Sequence, residues 1–135
     1  MSVEYRIDTS GVNWAELIEH LELDNFNNGR TPEELARSFD NSWAVAFAWL
    51  SGSVVGTARA LSDGVCNAYI VDVWTLSPLR HQGIARTLMS KLEEQLDGQH
   101  VYLFTDDADE FYEKTGYVRR GAGFEKVVGS WLRRR

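Results

Sequence analysis

One short segment combines the residue types that bind a phosphate group. Arg80, His81 and Arg86 bring positive charge or N–H donors to it, and Gly83 and Ala85 stand between them. Glycine lets the backbone approach an oxyanion closely. If a helix begins at Gly83, its unpaired N–H groups and positive dipole end would also attract phosphate. The segment is therefore predicted to bind a diphosphate-like anion.

The strand and the helix predicted on either side of this segment support its assignment as an anion-binding loop. Residues 66–75 read as a strand, and residues 83–96 are predicted to form the strongest helix of the chain. In that helix Ile84, Leu88 and Leu92 recur four residues apart, and Gly98 ends it. Open α/β sheets bind ligands at the carboxyl ends of their strands beside such a crossover.

The remaining patterns predict a mixed α/β fold. Alternation predicts a strand over 3–7, and apolar runs over 43–50 and 54–61 predict a hairpin. Helices are predicted around Trp14–Leu21 and after Thr31, where Pro32 and Glu34 complete a capping signature. A strand over 101–104, a helix over 107–114 and a last strand region from 116, resuming over 126–132, complete the order. The long crossover through the helix at 83–96 predicts a parallel, right-handed connection.

Bulk composition limits the possible functions. The 135 residues are 44% hydrophobic and fit a single domain over 1–135. The net charge of −6 argues against a nucleic-acid binder. There is neither a signal-like start nor a long apolar run, and the one cysteine, Cys66, allows no internal disulfide. These observations predict a cytoplasmic protein that spans no membrane and needs no metal.

The spacing Arg80-x-x-Gly83-x-Ala85 resembles the coenzyme A pyrophosphate loop of the GNAT superfamily of N-acetyltransferases. The strand over 70–75 precedes this loop at the distance typical of the family, and a helix of the expected period follows it. Residues 109–117, with Tyr112 followed by Gly116 and Tyr117, resemble the closing segment of the family. The resemblance covers roughly residues 43–120. It implies a central mixed sheet of about six to seven strands with helices on both faces.

The resemblance also implies a reaction and a set of roles. Acetyl-coenzyme A would be the cosubstrate, and an amine would attack its thioester directly, without a covalent acyl-enzyme. The backbone of Val73, Trp74 and Thr75 would pair with the pantetheine arm and the acetyl carbonyl, while Tyr112 would donate to the departing sulfur. The cofactor-binding residues after this strand are Arg80, His81, Gln82, Gly83, Ile84, Ala85 and Arg86.

Elementary acid–base chemistry limits these roles. A tyrosine has a pKa of about 10 and a thiol about 8.5, so Tyr112 is predicted to act as a hydrogen-bond donor to the thiolate rather than to complete proton transfer first. A simpler alternative is that Tyr112 only anchors its helix on the sheet. The base that deprotonates the amine is left unassigned among Asp72, Asp106 and Asp107.

Three functions remain open from the sequence. The leading one is acetylation of a primary amine on a small molecule or a protein. The second is a non-catalytic module that binds acyl-coenzyme A as a sensor or regulator. The third is another phosphate-ligand protein, although the chain lacks the Gly-x-x-x-x-Gly-Lys-Ser/Thr loop of nucleotide proteins. Residues 127–132 could form an apolar edge, so a homodimer is also an open alternative.

Overall fold

The computed structural model describes residues 2–134 of the chain. Their contacts form two compact units, which divide between Phe104 and Thr105. The prediction of a single domain is not tested by this division. The elements in order are β1 (Glu4–Arg6), α1 (Trp14–Leu23), α2 (Pro32–Asp40), β2 (Ala44–Leu50), β3 (Ser53–Ser62), β4 (Asn67–Thr75), a 3-10 turn (Ser77–Leu79), α3 (Ile84–Glu93), β5 (His100–Tyr102), α4 (Asp109–Lys114) and a 3-10 turn (Trp131–Arg133).

The first unit is built on one mixed sheet in the order β1-β2-β3-β4-β5. Strands β1 to β4 are antiparallel neighbours, and β2 and β3 form the predicted hairpin through a turn at Ser51 and Gly52. Strand β5 lies parallel to β4, because α3 carries the chain back across the sheet. The predicted mixed α/β fold is therefore confirmed.

Alternation along β2 divides the core between the two sides of the sheet. Val45, Phe47 and Trp49 share one buried cluster with apolar residues of α1 and α2, including Leu17 and Phe39. The residues between them point to the opposite side, where α3 packs on β2 and β3. These are alanines without exposed surface, so the helix can lie close to the sheet.

Gly56 marks the closest approach of α3 to the sheet. A Cβ atom at this position would lie 2.9 Å from Leu88 Cδ1 and 3.2 Å from Ile84 Cγ2. Gly56 pairs with Thr75 in the sheet register, so the start of α3 lies over the end of β4. A larger residue at this position would require the Leu88 side chain to shift away from the sheet.

The N-terminus of α2 shows the predicted capping box. The Thr31 hydroxyl accepts from the Glu34 backbone N–H at 3.1 Å, and the Glu34 carboxylate accepts from the Thr31 N–H at 2.8 Å. Pro32 occupies the first helical turn, where its missing N–H costs nothing.

The strand count differs from the expected six to seven, because the described residues contain five strands. Residues 116–118 and 126–132 form no strand, and β5 ends at Tyr102. Most of 118–129 is exposed, and Gly116, Gly121 and Gly129 all have positive φ angles. Apolar residues alone do not make a strand, since a strand also needs a ladder partner and a surface to pack on.

Candidate functional site

Strand β4 contains a β-bulge at the point where the site begins. Its register with β3 passes from Arg59↔Val71 to Thr57↔Trp74, so β4 has one residue more than β3 in this stretch. Asp72 lies in the bulge with φ 55°, in the left-handed region. The Thr57 hydroxyl donates to the Asp72 carbonyl at 2.8 Å and holds the distortion in place. A bulge bends its strand and redirects the residues that follow.

Two arginines hold the side chain of Asp72. Arg30, from the loop between α1 and α2, donates to both carboxylate oxygens at 2.9 and 3.1 Å. Arg59 donates from Nε to Oδ2 at 2.6 Å. All three side chains are nearly buried. The bulge is therefore fixed by charge-assisted hydrogen bonds from two different parts of the first unit.

This pairing makes Asp72 a poor candidate for the general base. Burial alone would raise the pKa of Asp72, but the hydrogen bonds and charges of Arg30 and Arg59 outweigh burial and hold this pKa below its ordinary value. A carboxylate held ionised by two guanidinium groups accepts a proton weakly. Asp72 is better described as the residue that fixes the bulge.

From Ile70 onward, one side of β4 lacks a strand partner. Strand β5 pairs with β4 only at Asn67, Ala68 and Tyr69, so from Ile70 to Thr75 this side is unpaired by any strand of the described chain. The buried hydroxyl of Thr75 also lacks a hydrogen-bond partner among the described residues. The predicted contact strand, Val73 to Thr75, therefore presents backbone groups that an extended ligand can pair with.

Asp24 connects the end of α1 to this part of the chain. The indole N–H of Trp74 donates to Asp24 Oδ2 at 2.8 Å, and the Ser77 N–H donates to the same oxygen at 3.2 Å. The Ser77 hydroxyl bonds to Oδ1. Burial acts to raise the pKa of Asp24, but the bonds from Ser77 and Trp74, with the charge of Arg80, hold it below its ordinary value. Trp74 thereby points into the core formed with α1 and α2.

The loop before α3 has the geometry of an anion cradle. His81 and Gly83 have φ angles of 66° and 86°, and Gly83 is the N-cap of α3 without a capping side chain. Within the described chain, no acceptor is paired with the backbone N–H groups from His81 to Arg86. Left-handed residues in such a turn direct successive N–H groups towards one point, where an anion binds.

The side chains of this loop differ in their placement. His81, Gln82 and Arg86 are exposed, and Ile84 is buried beneath the helix start. The Arg80 guanidinium donates from Nε to the Thr75 carbonyl at 3.2 Å, and its Nη2 lies 3.8 Å from Asp24 Oδ2. Arg80 therefore braces the turn between β4 and the loop, in addition to contributing charge.

Sequence reasoning missed Asp24, Arg30 and Arg59 as supports of the site. Arg30 lies 42 positions from Asp72, and Asp24 lies 53 positions from Ser77. The local sequence pattern predicts a helix end at Asp24, a loop at Arg30 and a strand at Arg59. None of these patterns indicates a contact with the site. A buried charge pair at this separation leaves no signal in one sequence.

Tyr112 lies on α4, in the second unit. Its ring contacts those of Phe111 and Tyr117 at 5.0 and 5.8 Å, and burial raises the pKa of its hydroxyl. Within residues 2–134, no hydrogen-bond partner is found for the Tyr112 hydroxyl. Asp106 and Asp107, just before this helix, are exposed.

Residues 2–134 contain no group of three or more His, Cys, Asp or Glu side chains placed to hold a metal ion. None of their helices combines the length and the apolar character needed to cross a membrane.

Comparison with known proteins identifies the family. Residues 14–117 match the profile of the acetyltransferase (GNAT) family, so the chain belongs to this family. No curated protein matches the chain.

Solved structures support the same assignment. A candidate acetyltransferase from Deinococcus radiodurans R1 is 32% identical, with a TM-score of 0.81 and coverage of 92% of this chain and 87% of the other. A candidate GNAT acetyltransferase from Xanthomonas campestris pv. campestris is 24% identical, with a TM-score of 0.81 and coverage of 95% and 94%. Glucosamine-6-phosphate N-acetyltransferase from Arabidopsis thaliana shares the fold at 18% identity, with a TM-score of 0.75 and coverage of 94% and 99%.

Proposed function

We propose that the protein transfers an acetyl group from acetyl-coenzyme A to a primary amine. The observation that carries the proposal is the row of unpaired backbone N–H groups from His81 to Arg86 in a chain of the GNAT family. These N–H groups suit a pyrophosphate, because they converge at a helix N-terminus whose dipole favours negative charge.

The end of β4 suits the rest of the same cosubstrate. The unpaired side of Val73 to Thr75 offers N–H and C=O groups to the amides of the pantetheine arm, in the manner of an added strand. The unsatisfied Thr75 hydroxyl gives this arm a further polar partner. Arg80 fixes the loop relative to the end of the strand, because its Nε donates to the Thr75 carbonyl.

In the proposed reaction the amine nitrogen attacks the thioester carbonyl carbon. A C–N bond forms, the C–S bond breaks, and the electron pair leaves with the sulfur as a thiolate. Tyr112 donates a hydrogen bond to this sulfur as its charge develops. Because burial raises the pKa of Tyr112, its hydroxyl keeps its proton at neutral pH and acts as a donor.

The proton lost by the amine needs an acceptor. With Asp72 held by two arginines, the proton passes to water or to an exposed carboxylate, for which Asp106 and Asp107 remain the candidates. The acceptor is a primary amine of a small molecule or a protein. The net charge of −6 favours cationic amines over anionic ones.

The test combines a binding and a turnover measurement. Calorimetric titration with coenzyme A should show saturable binding, and thiol release from acetyl-coenzyme A should rise with one or more members of a panel of amines, polyamines and peptides. Absence of saturation at millimolar coenzyme A contradicts the proposal. Tight binding without amine-dependent thiol release would instead support the sensor function.

A further inference from the structure

The loop between α1 and α2 contains the one asparagine–glycine pair of the sequence. Of all the asparagines in the chain, Asn28 alone is followed by glycine. Glycine has no side chain to shield its backbone nitrogen, so this nitrogen can approach the carboxamide of the preceding asparagine. The pair therefore has the composition for a spontaneous reaction between a backbone nitrogen and a side-chain amide.

Asn28 and Gly29 form the tip of a tight turn. Their φ angles are 59° and 78°, and the Arg30 N–H donates across them to the Asn27 carbonyl at 3.4 Å. Two consecutive positive φ angles are typical of a type I′ turn, for which Asn-Gly is a preferred pair. The backbone conformation of this turn explains why the pair occurs here.

The tip of this turn is open to solvent. Asn28 and Gly29 are both exposed, and a Cβ atom on Gly29 would meet no other atom of the described chain within 4 Å. The N–H of Gly29 donates to no acceptor within residues 2–134. Water can therefore reach both groups, and no hydrogen bond within this part of the chain occupies the nitrogen of Gly29.

The base of the turn positions Arg30 for its contact with the bulge of β4. Asn27 is only 4% exposed, and its Nδ2 donates to the Arg30 carbonyl at 2.8 Å. The Arg30 Nε donates in return to the Asn27 carbonyl at 2.9 Å, while Nη1 and Nη2 donate to Asp72. A change in backbone length between Asn27 and Arg30 would therefore displace the guanidinium that holds Asp72.

We propose that Asn28 is a site of spontaneous deamidation, and that this modification separates Arg30 from Asp72. The Gly29 nitrogen attacks Cγ of Asn28, the bond from Cγ to Nδ2 breaks, and Nδ2 leaves as ammonia with the proton that the Gly29 nitrogen loses. Water then opens the resulting succinimide ring to aspartate or isoaspartate. Isoaspartate adds one carbon atom to the backbone, so the turn no longer closes on the same hydrogen bonds. This modification does not depend on the acetyl-transfer reaction.

Opening of the turn controls the rate of this reaction. Ring closure requires rotation of the backbone between Asn28 and Gly29, and the hydrogen bonds between Asn27 and Arg30 resist this rotation. The backbone bond across the tip is 3.4 Å long and therefore weak. Exposed loops open locally at a much smaller free energy than the whole fold. The folded chain should therefore react more slowly than the denatured chain, but through the same residue.

Storage of the purified protein at 37 °C and pH 8, followed by peptide mapping with mass spectrometry, tests the modification. One sample is folded and the other is denatured in guanidinium chloride. Deamidation at Asn28 is expected in both, ahead of any at Asn25, which is also exposed with φ 55° but precedes Phe26. Asn27→Ala removes the bond to the Arg30 carbonyl and should speed the reaction of the folded chain about five-fold, the effect of one ordinary hydrogen bond.

Urea unfolding of the isoaspartyl chain, separated by ion exchange, tests the effect on Arg30. Its urea midpoint should fall by about 1 M, because Arg30 and Asp72 are nearly buried and lose their contact. Asn28→Asp has the same added charge without the extra backbone atom, so it should unfold close to the unmodified chain. Asn28→Gly tolerates the positive φ angle and has no carboxamide to react, so its midpoint should not change on storage.

Two results overturn the proposal. One is a folded chain without deamidation at Asn28 after the denatured chain has largely reacted, which would show that the closed turn protects the pair. The other is an isoaspartyl chain with the urea midpoint of the unmodified chain, which would show that Arg30 keeps its contact with Asp72. Both measurements use the natural sequence, so neither depends on whether a variant folds.

Discussion

Two residues of the loop before α3, His81 and Gly83, have backbone dihedrals that most side chains avoid. An L-residue in the left-handed region costs about 1 kcal/mol, and His81 carries this cost in the loop where we propose that the pyrophosphate binds. The backbone at His81 is strained by its positive φ angle, whereas glycine adopts a positive φ angle at Gly83 without this strain. We attribute both to the orientation of the N–H groups rather than to packing, because a Cβ atom at Gly83 would meet no other atom within 4 Å.

Gly83→Ala should therefore separate a binding effect from a stability effect. The substitution should lower the free energy of unfolding by about 1 kcal/mol through strain alone and weaken coenzyme A binding by reorienting the cradle. Gly98→Ala is the matched control, because Gly98 has φ 81° and an equally open Cβ position, but follows the other end of α3. It should lose similar stability and keep its affinity. Equal affinities for both variants in calorimetry would contradict the cradle.

Tyr112→Phe should lower turnover by about 100-fold, as loss of one donor to a developing charge does elsewhere. Affinity for coenzyme A should change little, since the proposed bond forms only as the sulfur departs. Because burial raises the pKa of Tyr112 above its ordinary value of about 10, activity should not fall through its ionisation until the pH exceeds that value. Thiol release measures turnover, and calorimetric titration with coenzyme A measures affinity. Unchanged turnover would leave Tyr112 with a packing role only.

At the scale of elements, the bulge in β4 depends on a buried group of charges. Asp72→Asn should lower the free energy of unfolding at pH 7 by about 3 kcal/mol, because Arg30 and Arg59 then lack their anion. The folded-state pKa of Asp72 is depressed, so its contribution is present above the unfolded value of about 3.9 and is lost as pH falls through the folded value. The difference between the variant and the unmodified chain should therefore shrink below about pH 4.

Urea unfolding at pH 7 and at pH 3 measures this difference. Asp97→Asn is the control, since Asp97 is exposed and should change stability by less than about 0.5 kcal/mol. A loss for Asp72→Asn that is equal at both pH values would show that the ionised carboxylate is not responsible.

Asp24 connects α1 to the end of β4, and we interpret it as a positioning residue. Asp24→Ala removes the carboxylate, so the indole N–H of Trp74 and the N–H of Ser77 lose the oxygen to which both donate. We expect coenzyme A affinity to fall about 10-fold, equivalent to about 1.4 kcal/mol. Turnover at saturation should be nearly unchanged. Glu22→Gln, an exposed change in the same helix, is the control. A fall in turnover without a fall in affinity would contradict a positioning role.

At the scale of the whole molecule, cosubstrate binding should stabilise the fold by mass action. Coenzyme A at 100 times its dissociation constant should add about 2.7 kcal/mol to the free energy of unfolding. For a chain of this size the melting temperature should rise by roughly 5 to 10 °C. Differential scanning fluorimetry measures the shift, with adenosine as the control because it lacks phosphates. No shift with coenzyme A would contradict the binding proposal.

Local signals were enough to predict much of this architecture. The hairpin, the capping box at Thr31 and the crossover through α3 each depend on residues close in sequence, and the structure confirms them. Strand pairing after β5 could not be predicted, because the apolar residues over 126–132 do not show whether a partner strand is within reach. The left-handed Asp72 was also hidden, since its conformation depends on two distant arginines.

The contact between Arg30 and Asp72 has a consequence for redesign of this scaffold. Grafting the α1–α2 loop of a relative onto this chain would also replace the cation that holds the bulge in β4. A transplanted loop without an arginine at this position would disturb the neighbouring strand. Loop libraries should therefore keep Arg30 constant, and also Asn25 and Asn28, whose φ angles of 55° and 59° most side chains avoid.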